Sequence, residues 1–391
     1  EVFFFLENIN KGTLVLLTNL HFLQLNSLRL MSNLRKGFPV LERYTYLNTA
    51  ASGLLHEKVL EFRQEHDLDF LISGSVLKEG QGKLLASVRE EVGEAFNCEP
   101  NRVGLVPNFS YGFNTLLEGI EKPKKVLLLK NDYPSINWPV ESRDFEICYA
   151  EINEFLEENI VEALKKEQPE FFAFSIVQYI NGIKLSTAFI TQLKKDFPDV
   201  IFIADGTQFL GTEAFDFDAT GIDVLISSTY KWLNAGYGNG FMLFNKDIEG
   251  KVSPKHLGFG SLQGKYKAHE GNFLGKFEPG HQDTLNYGSL GEAMKLIKYI
   301  GISTIEDQVN ILKNQAKKLF TEMNLLEDAV VKRGDHSSIL NIKGDDKLYQ
   351  YLREKDIIVS QRGEGLRVSF HYFNTEEELE ILVKALKAYK G

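Results

Sequence analysis

Six short runs of almost uninterrupted apolar residues punctuate the middle of this chain, and they restrict its fold more than any other feature. They are Val103-Gly-Leu-Val-Pro, Val126-Leu-Leu-Leu-Lys, Phe171-Phe-Ala-Phe-Ser-Ile-Val, Val200-Ile-Phe-Ile-Ala, Val224-Leu-Ile-Ser and Gly240-Phe-Met-Leu-Phe. A strand with one face in water alternates apolar and polar residues, whereas a strand covered on both faces does not. Helical patterns lie between several of the runs, at 152–166 and 186–196 for example. That alternation predicts an α/β fold with a largely parallel central sheet flanked by helices. After about Gly288 the pattern changes to a long amphipathic helix, strands at 338–342 and 365–370, and a final helix from Thr375. We therefore expect a large domain over 51–287 and a smaller α+β C-terminal domain over 288–391, the latter joined by the segment 31–50.

In open α/β sheets, ligands gather beyond the carboxyl ends of the strands. The fifth run continues as Ser227-Ser-Thr-Tyr-Lys231 and leads into the Gly-rich Gly236-Tyr-Gly-Asn-Gly240. The fourth ends on Asp205 and continues Gly-Thr-Gln208. A lysine at one strand end and an acid at another suit pyridoxal 5′-phosphate (PLP). The amine forms a Schiff base with the cofactor aldehyde, and the carboxylate keeps the pyridine nitrogen protonated so that the ring accepts electrons. A lone lysine after a buried strand is ordinarily a surface residue. Its pairing with Asp205, Gln208 and the hydroxyl-rich approach singles out Lys231. The phosphate needs its own site, and Pro107-Asn-Phe-Ser-Tyr-Gly-Phe-Asn reads as a strand end running into a helix. A helix N-terminus offers free N–H groups to an anion, so Ser110 and the amide of Tyr111 are the first candidate phosphate ligands. Ser228 and Tyr230 flank the lysine as further donors. Arg367 sits on an apolar strand, where a charge is costly without a partner, and a guanidinium suits an α-carboxylate. Arg362 is a secondary candidate, for a side-chain acid or for structure.

Together with Tyr46-Leu-Asn-Thr-Ala-Ala-Ser-Gly53, Ser175-Ile-Val-Gln-Tyr-Ile-Asn-Gly182 and Arg362-Gly-Glu-Gly-Leu-Arg-Val-Ser-Phe-His-Tyr-Phe-Asn374, these blocks make the chain resemble the class V aminotransferases. That family, of PLP-dependent transferase fold type I, also takes in cysteine desulfurases, kynureninases and isopenicillin-N-epimerase-like proteins. The resemblance runs from about Arg35 to the C-terminus. It implies that Tyr133 covers the pyridine face, that Gln178 and Gln208 approach the phenolic oxygen, and that Arg367 binds the substrate carboxylate. It also implies a homodimer with shared active sites, in which the segment of His281 reaches the neighbour's phosphate. The chain departs from the pattern at Phe109, where relatives have small hydroxyl residues. It departs again at Tyr230, where many have histidine, and at His281, where many have threonine.

Composition narrows the function from the other side. The net charge is −10 with no polybasic run, which excludes nucleic acid as the expected partner. Cys98 and Cys148 have no paired spacing and no His-x-x-x-His occurs, so neither disulfide framework nor metal site is expected, and a reduced cytoplasmic compartment is. Residues 1–30 are rich in Phe and Leu and precede Met31, read here as the natural start after an upstream extension. Their longest nearly uncharged stretch, 12–27, is short and interrupted for a membrane span, and it lacks a clear signal-peptide pattern. A cysteine desulfurase needs a mobile cysteine shortly before the carboxylate-binding arginine, and 357–367 contains none. Lyase and epimerase chemistry would use the same parts as transamination and stay open. Transamination between a small amino acid and a 2-oxo acid asks least of the sequence and is the preferred reading.

Overall fold

The apolar runs pair edge to edge in a computed structural model that describes residues 34–122, 124–262 and 272–390. The expected extension at 1–30 and the start at Met31 lie outside those residues. After a two-residue strand, β1 (Thr45–Tyr46), seven strands build one sheet. They are β2 (Val103–Val106), β3 (Lys125–Leu129), β4 (Glu146–Ala150), β5 (Phe171–Ser175), β6 (Ile201–Asp205), β7 (Val224–Ser228) and β8 (Gly240–Phe244). Their order is β2-β8-β7-β6-β5-β3-β4. Every neighbouring pair from β7 to β4 is parallel, and β8 alone runs against both of its neighbours. The continuous apolar runs follow from two covers. Leu127, Leu129, Phe172 and Phe174 join one hydrophobic layer, while the alternate Val126, Leu128, Phe171 and Ala173 join the other. Only β4 was absent from the apolar runs. It is an edge strand whose Glu146 and Tyr149 face solvent, whereas β2, at the other edge, is buried.

The helices follow their capping residues. Ser186 caps Thr187–Asp196 by accepting a hydrogen bond from the Phe189 N–H at 3.1 Å. The helix expected from 152 begins later, at Leu156, and runs to Glu167. The single long helix expected after Gly288 is two helices, Thr284–Ile300 and Ile302–Glu322, broken at Gly301 with φ 85°. Asp283 caps the first, so the division expected at 287 falls inside a helix. That helix packs on Glu57–Ser73 and Gln81–Phe96, helices preceding the central sheet.

Beyond it come β9 (Ile339–Lys343), β10 (Ile357–Ile358), β11 (Ser360–Arg362) and β12 (Gly365–Ser369). β12 lies antiparallel between β11 and β9, and β10 pairs in parallel with β1. The final helix, Glu376–Ala388, opens with a capping box between Thr375 and Glu378. Arg35 reaches the same turn, in an ion pair of 2.8 Å with Glu378.

One contact ties the N-terminal segment to the loop after β7. The Gly53 N–H donates to the Tyr230 carbonyl at 2.8 Å. A Cβ at Gly53 would lie 1.9 Å from the Lys231 carbonyl oxygen, which is backbone and cannot rotate away. Gly53→Ala should therefore destabilise the protein by about 1–3 kcal/mol or more, the range for overpacking a close contact. A denaturant unfolding midpoint checks this, and an unchanged midpoint would show that the loop carrying Lys231 yields freely.

Candidate active site

The carboxyl ends of β2, β3, β5, β6 and β7 open onto one cavity of about 360 Å³, lined among others by Asn108, Ser110, Tyr133, Asp205, Ser228 and Lys231. Lys231 follows β7 by three residues, and Asp205 is the last residue of the adjacent β6. Both are buried, and no ion pair joins them. The Lys231 amine stands 5.7 Å from the Tyr133 ring centre and 5.5 Å from that of Tyr230. Burial pushes its pKa below that of an ordinary lysine. Asp205 opposes that shift, while Arg367 and Arg362 add to it. Burial pushes the Asp205 carboxyl up, against the Thr207 N–H, which donates to it at 2.8 Å, and the Lys231 charge.

Ser110 and Tyr111, the expected phosphate ligands, lie in the first turn of the helix that follows β2. The helix Phe109–Glu118 does begin at the cavity. Its cap, however, is Asn108, whose side-chain oxygen accepts the Tyr111 N–H at 2.9 Å. The Tyr111 amide is thus engaged, and its side chain is exposed and does not line the cavity. Phe109 N–H donates to Ser228 Oγ at 2.9 Å, which leaves the Ser110 amide as the one in this turn without a hydrogen bond. Ser110 Oγ bonds Ser135 Oγ at 2.9 Å, so a second hydroxyl stands beside it.

Gln178 does not reach the cavity. The residues that line it from this strand extension are Ser175, Val177 and Tyr179. Gln178, in the loop after β5, is buried, and its Nε2 has no hydrogen bond. Gln208 lines the cavity with its amide partly engaged: Nε2 donates to the Ala50 carbonyl at 3.0 Å and Oε1 accepts from Trp232 Nε1 at 2.8 Å. Tyr230 lines it too, stacked on Tyr237 at 4.6 Å, and burial raises its phenol to about 12. His281 lies apart, near Phe259 and beside a different cavity edged by Gln81 and Arg89.

Arg367 is buried on β12, with Nη1 donating to the Tyr179 carbonyl at 2.6 Å and Nε unpartnered. Burial first and the Arg362 charge second lower its pKa to about 10. Arg362 is exposed, and its Nη1 donates to the adjacent Gln361 carbonyl.

Two residues that the sequence did not single out stand behind the cavity. Asp132 is buried and accepts the N–H groups of Tyr133 at 2.7 Å and Ser175 at 2.8 Å, fixing the Tyr133 backbone. His371 is buried, and burial lowers its pKa to about 3. The neutral ring therefore donates from Nε2 to the Trp232 carbonyl, 2.8 Å away and next to Lys231. An acid before Tyr133 and a histidine in the final block were visible as residue types, but nothing in their spacing revealed these partners. Among the described residues no cluster of His, Cys, Asp and Glu is arranged to hold a metal ion, and no helix is long and apolar enough to cross a membrane.

Comparison with known proteins places the chain in a family. The family model described as Aminotransferase class-V matches residues 45–382. The chain is 22% identical over 360 residues to the uncharacterized aminotransferase YcbU of Bacillus subtilis, covering 90% of this chain and 96% of that one. It is 20% identical over 398 residues to a probable cysteine desulfurase of Methanothermobacter thermautotrophicus, covering 92% and 98%. Among solved structures, the complex between the cystine C-S lyase C-DES and its reaction product cysteine persulfide superposes with a TM-score of 0.82 at 20% identity, covering 90% of this chain and all of that one. The expected fold, a largely parallel sheet flanked by helices, is the fold found.

The charges around Lys231 make a signed prediction. In cofactor-free protein, the pH profile of Lys231 acylation, followed by mass spectrometry, should inflect below the ordinary lysine value of about 10.4. Asp205→Asn removes the charge that favours the ammonium and should move the inflection lower still. An upward shift would refute the electrostatic account.

Proposed function

Because the chain belongs to the class V aminotransferase family, we propose that it is a PLP enzyme that transaminates an amino acid, with a 2-oxo acid as acceptor. The observation that carries this reading is the buried Lys231 beside Asp205 at the ends of adjacent parallel strands, in a cavity whose other walls suit the cofactor. The open Ser110 amide and the hydroxyls of Ser110 and Ser228 would hold the phosphate. Tyr133 would cover the ring, Asp205 would face its nitrogen, and Lys231 would reach the aldehyde. When bound, the cofactor supplies a carbonyl that captures the amino group and a ring that accepts electron density from the substrate Cα.

The chain's own residues do the rest. The lowered pKa of Lys231 gives its amine a neutral fraction, so Nζ can take the proton from the substrate Cα as a general base. Asp205 is placed to hold a proton at the ring nitrogen. Arg367 orients the α-carboxylate, since a guanidinium binds a carboxylate through two parallel hydrogen bonds. The aromatic walls of Tyr133, Tyr179, Tyr230 and Tyr237 limit the entry of water. A homodimer is part of this reading, supported by the exposed Phe70, Leu71 and Ile72 and by His281, which stands apart from its own chain's Lys231 cavity. So is a reducing cytoplasmic setting, supported by two free cysteines.

The desulfurase alternative loses support at the thiols. Cys98 is buried and Cys148 sits on the edge strand β4, and burial pushes both up to about 11. Neither lines the Lys231 cavity. A thiol held protonated is a poor acceptor of sulfur.

The test is to incubate PLP-loaded protein with single amino acids and no oxo acid. Pyridoxamine phosphate should accumulate, and Cys98→Ser/Cys148→Ser should behave like the parent. Sulfide or alanine formed from cysteine alone, and lost with either cysteine, would replace transamination by sulfur transfer. Lys231→Ala should leave no borohydride-reducible adduct.

A second variant tests the ring-nitrogen role. Asp205→Ala should retain PLP yet lose most turnover. Activity within about threefold of the parent, under about 1 kcal/mol in barrier, would remove that role from Asp205.

A further inference from the structure

One face of the C-terminal sheet carries two guanidinium groups that, among the described residues, no acid pairs with. In the antiparallel pair β11–β12, Arg367 stands opposite Ser360, and Arg362 lies two residues further along β11. Residues two apart on a strand share a face, so Arg362 is the diagonal neighbour of Arg367, roughly 7–8 Å away at the backbone. Asn341 of β9 stands opposite Arg367 on the other side. Its Nδ2 donates to the Arg362 carbonyl at 2.9 Å and approaches the Ile180 carbonyl at 3.4 Å. The whole face is thereby set against the turn at Tyr179 and Ile180, the first of which lines the Lys231 cavity.

Three observations bear on what this face could bind. Among the described residues neither arginine forms an ion pair. Arg367 Nε and Ser360 Oγ, direct cross-strand partners, are both buried without a hydrogen bond. Buried polar groups are ordinarily satisfied, and two adjacent orphans point to an absent acceptor. Both arginine charges also act on the Lys231 amine, which places them within electrostatic reach of the reacting centre. The cofactor phosphate does not supply the missing anion, because its proposed ligands Ser110 and Ser228 lie at the ends of the central sheet strands β2 and β7.

We infer that the amino donor is a 2-amino dicarboxylic acid, its α-carboxylate held by Arg367 with Ser360 and its distal carboxylate by Arg362. The inference rests on the transaminase reading above and names the substrate class for it. A monocarboxylic amino acid would balance one guanidinium only. A short dicarboxylate spans both.

The experiment uses PLP-loaded protein and two probes that lack a Cα proton, 2-methylaspartate and 2-methylalanine. Their binding is read from the change in cofactor absorbance, without turnover. 2-Methylaspartate should bind at least about tenfold more tightly, the worth of one charge-assisted contact. Arg362→Ala should remove that preference by weakening 2-methylaspartate about tenfold more than 2-methylalanine. Arg362 is exposed, so the variant should fold, and Arg362→Gln repeats the test with a side chain of similar length. Equal affinities, or a preference that survives both substitutions, would overturn the dicarboxylate inference while leaving transamination intact. Failure of every amino-acid probe, these two and unmethylated ones alike, to perturb the cofactor would overturn both.

Discussion

A buried amine and a buried carboxylate, set at the ends of two adjacent strands without an ion pair between them, are the constraint around which the rest of this structure is arranged. Each charge is expensive to remove from water unless something compensates it. A loop free to move would carry Lys231 out to solvent, and much of the surrounding hydrogen bonding prevents that. Gly53 holds the carbonyl of Tyr230, His371 holds the carbonyl of Trp232, and Gln208 bridges the Trp232 indole and the Ala50 carbonyl. These anchors come from the N-terminal segment, the end of β6 and the turn after β12. The loop after β7 is therefore the place where distant parts of the chain meet. Substitutions that weaken any of those carbonyl contacts act on the position of one amine.

The charges are also sorted around the cavity. The open amide of Ser110 and the hydroxyls around it lie in its wall, while the two arginines of the C-terminal sheet, which do not line it, act on Lys231 through their charge. Asp205 lies on the floor, where the neighbouring Thr207 amide favours its ionised form and burial opposes it. In a medium poorer than water at screening charge, such separations are felt over several ångströms. An anion bound at Arg367 would offset the cation that discourages protonation of Lys231.

Much of this was legible in the sequence because the signals were redundant. Parallel strands covered on both faces leave continuous apolar runs, and the residues proposed to react follow the ends of those runs. What escaped was set by geometry finer than residue type. Gln178 and Tyr179 are neighbours in the loop after β5, and only the tyrosine lines the cavity. Tyr111 and Ser110 both offer an amide at a helix start, but Asn108 takes the first and leaves the second. The edge strand β4 was hidden because half its surface is wet and it therefore lacks an apolar run. Gly301 breaks a helix whose amphipathic pattern continues on both sides of it. Ser360 and His371 became meaningful only once their partners, more than five residues away in sequence, were in place.

Tyr230 changes what the site does with protons. Where many relatives have a histidine, an imidazole would change charge near neutral pH, since its ordinary pKa is about 6.5. The Tyr230 phenol, raised to about 12 and stacked on Tyr237, stays protonated throughout that range and acts as a neutral hydrogen-bonding group or a packing surface. His371, the histidine fixed behind Lys231, is held neutral by burial. No histidine lines the cavity among the described residues. The groups left to change charge there near neutral pH are Lys231, pushed down, and Asp205, pushed up, so their titrations approach each other. The charge of the cavity near neutral pH is thereby set by the lysine and the carboxylate on the floor, with the arginines of the C-terminal sheet acting on the lysine.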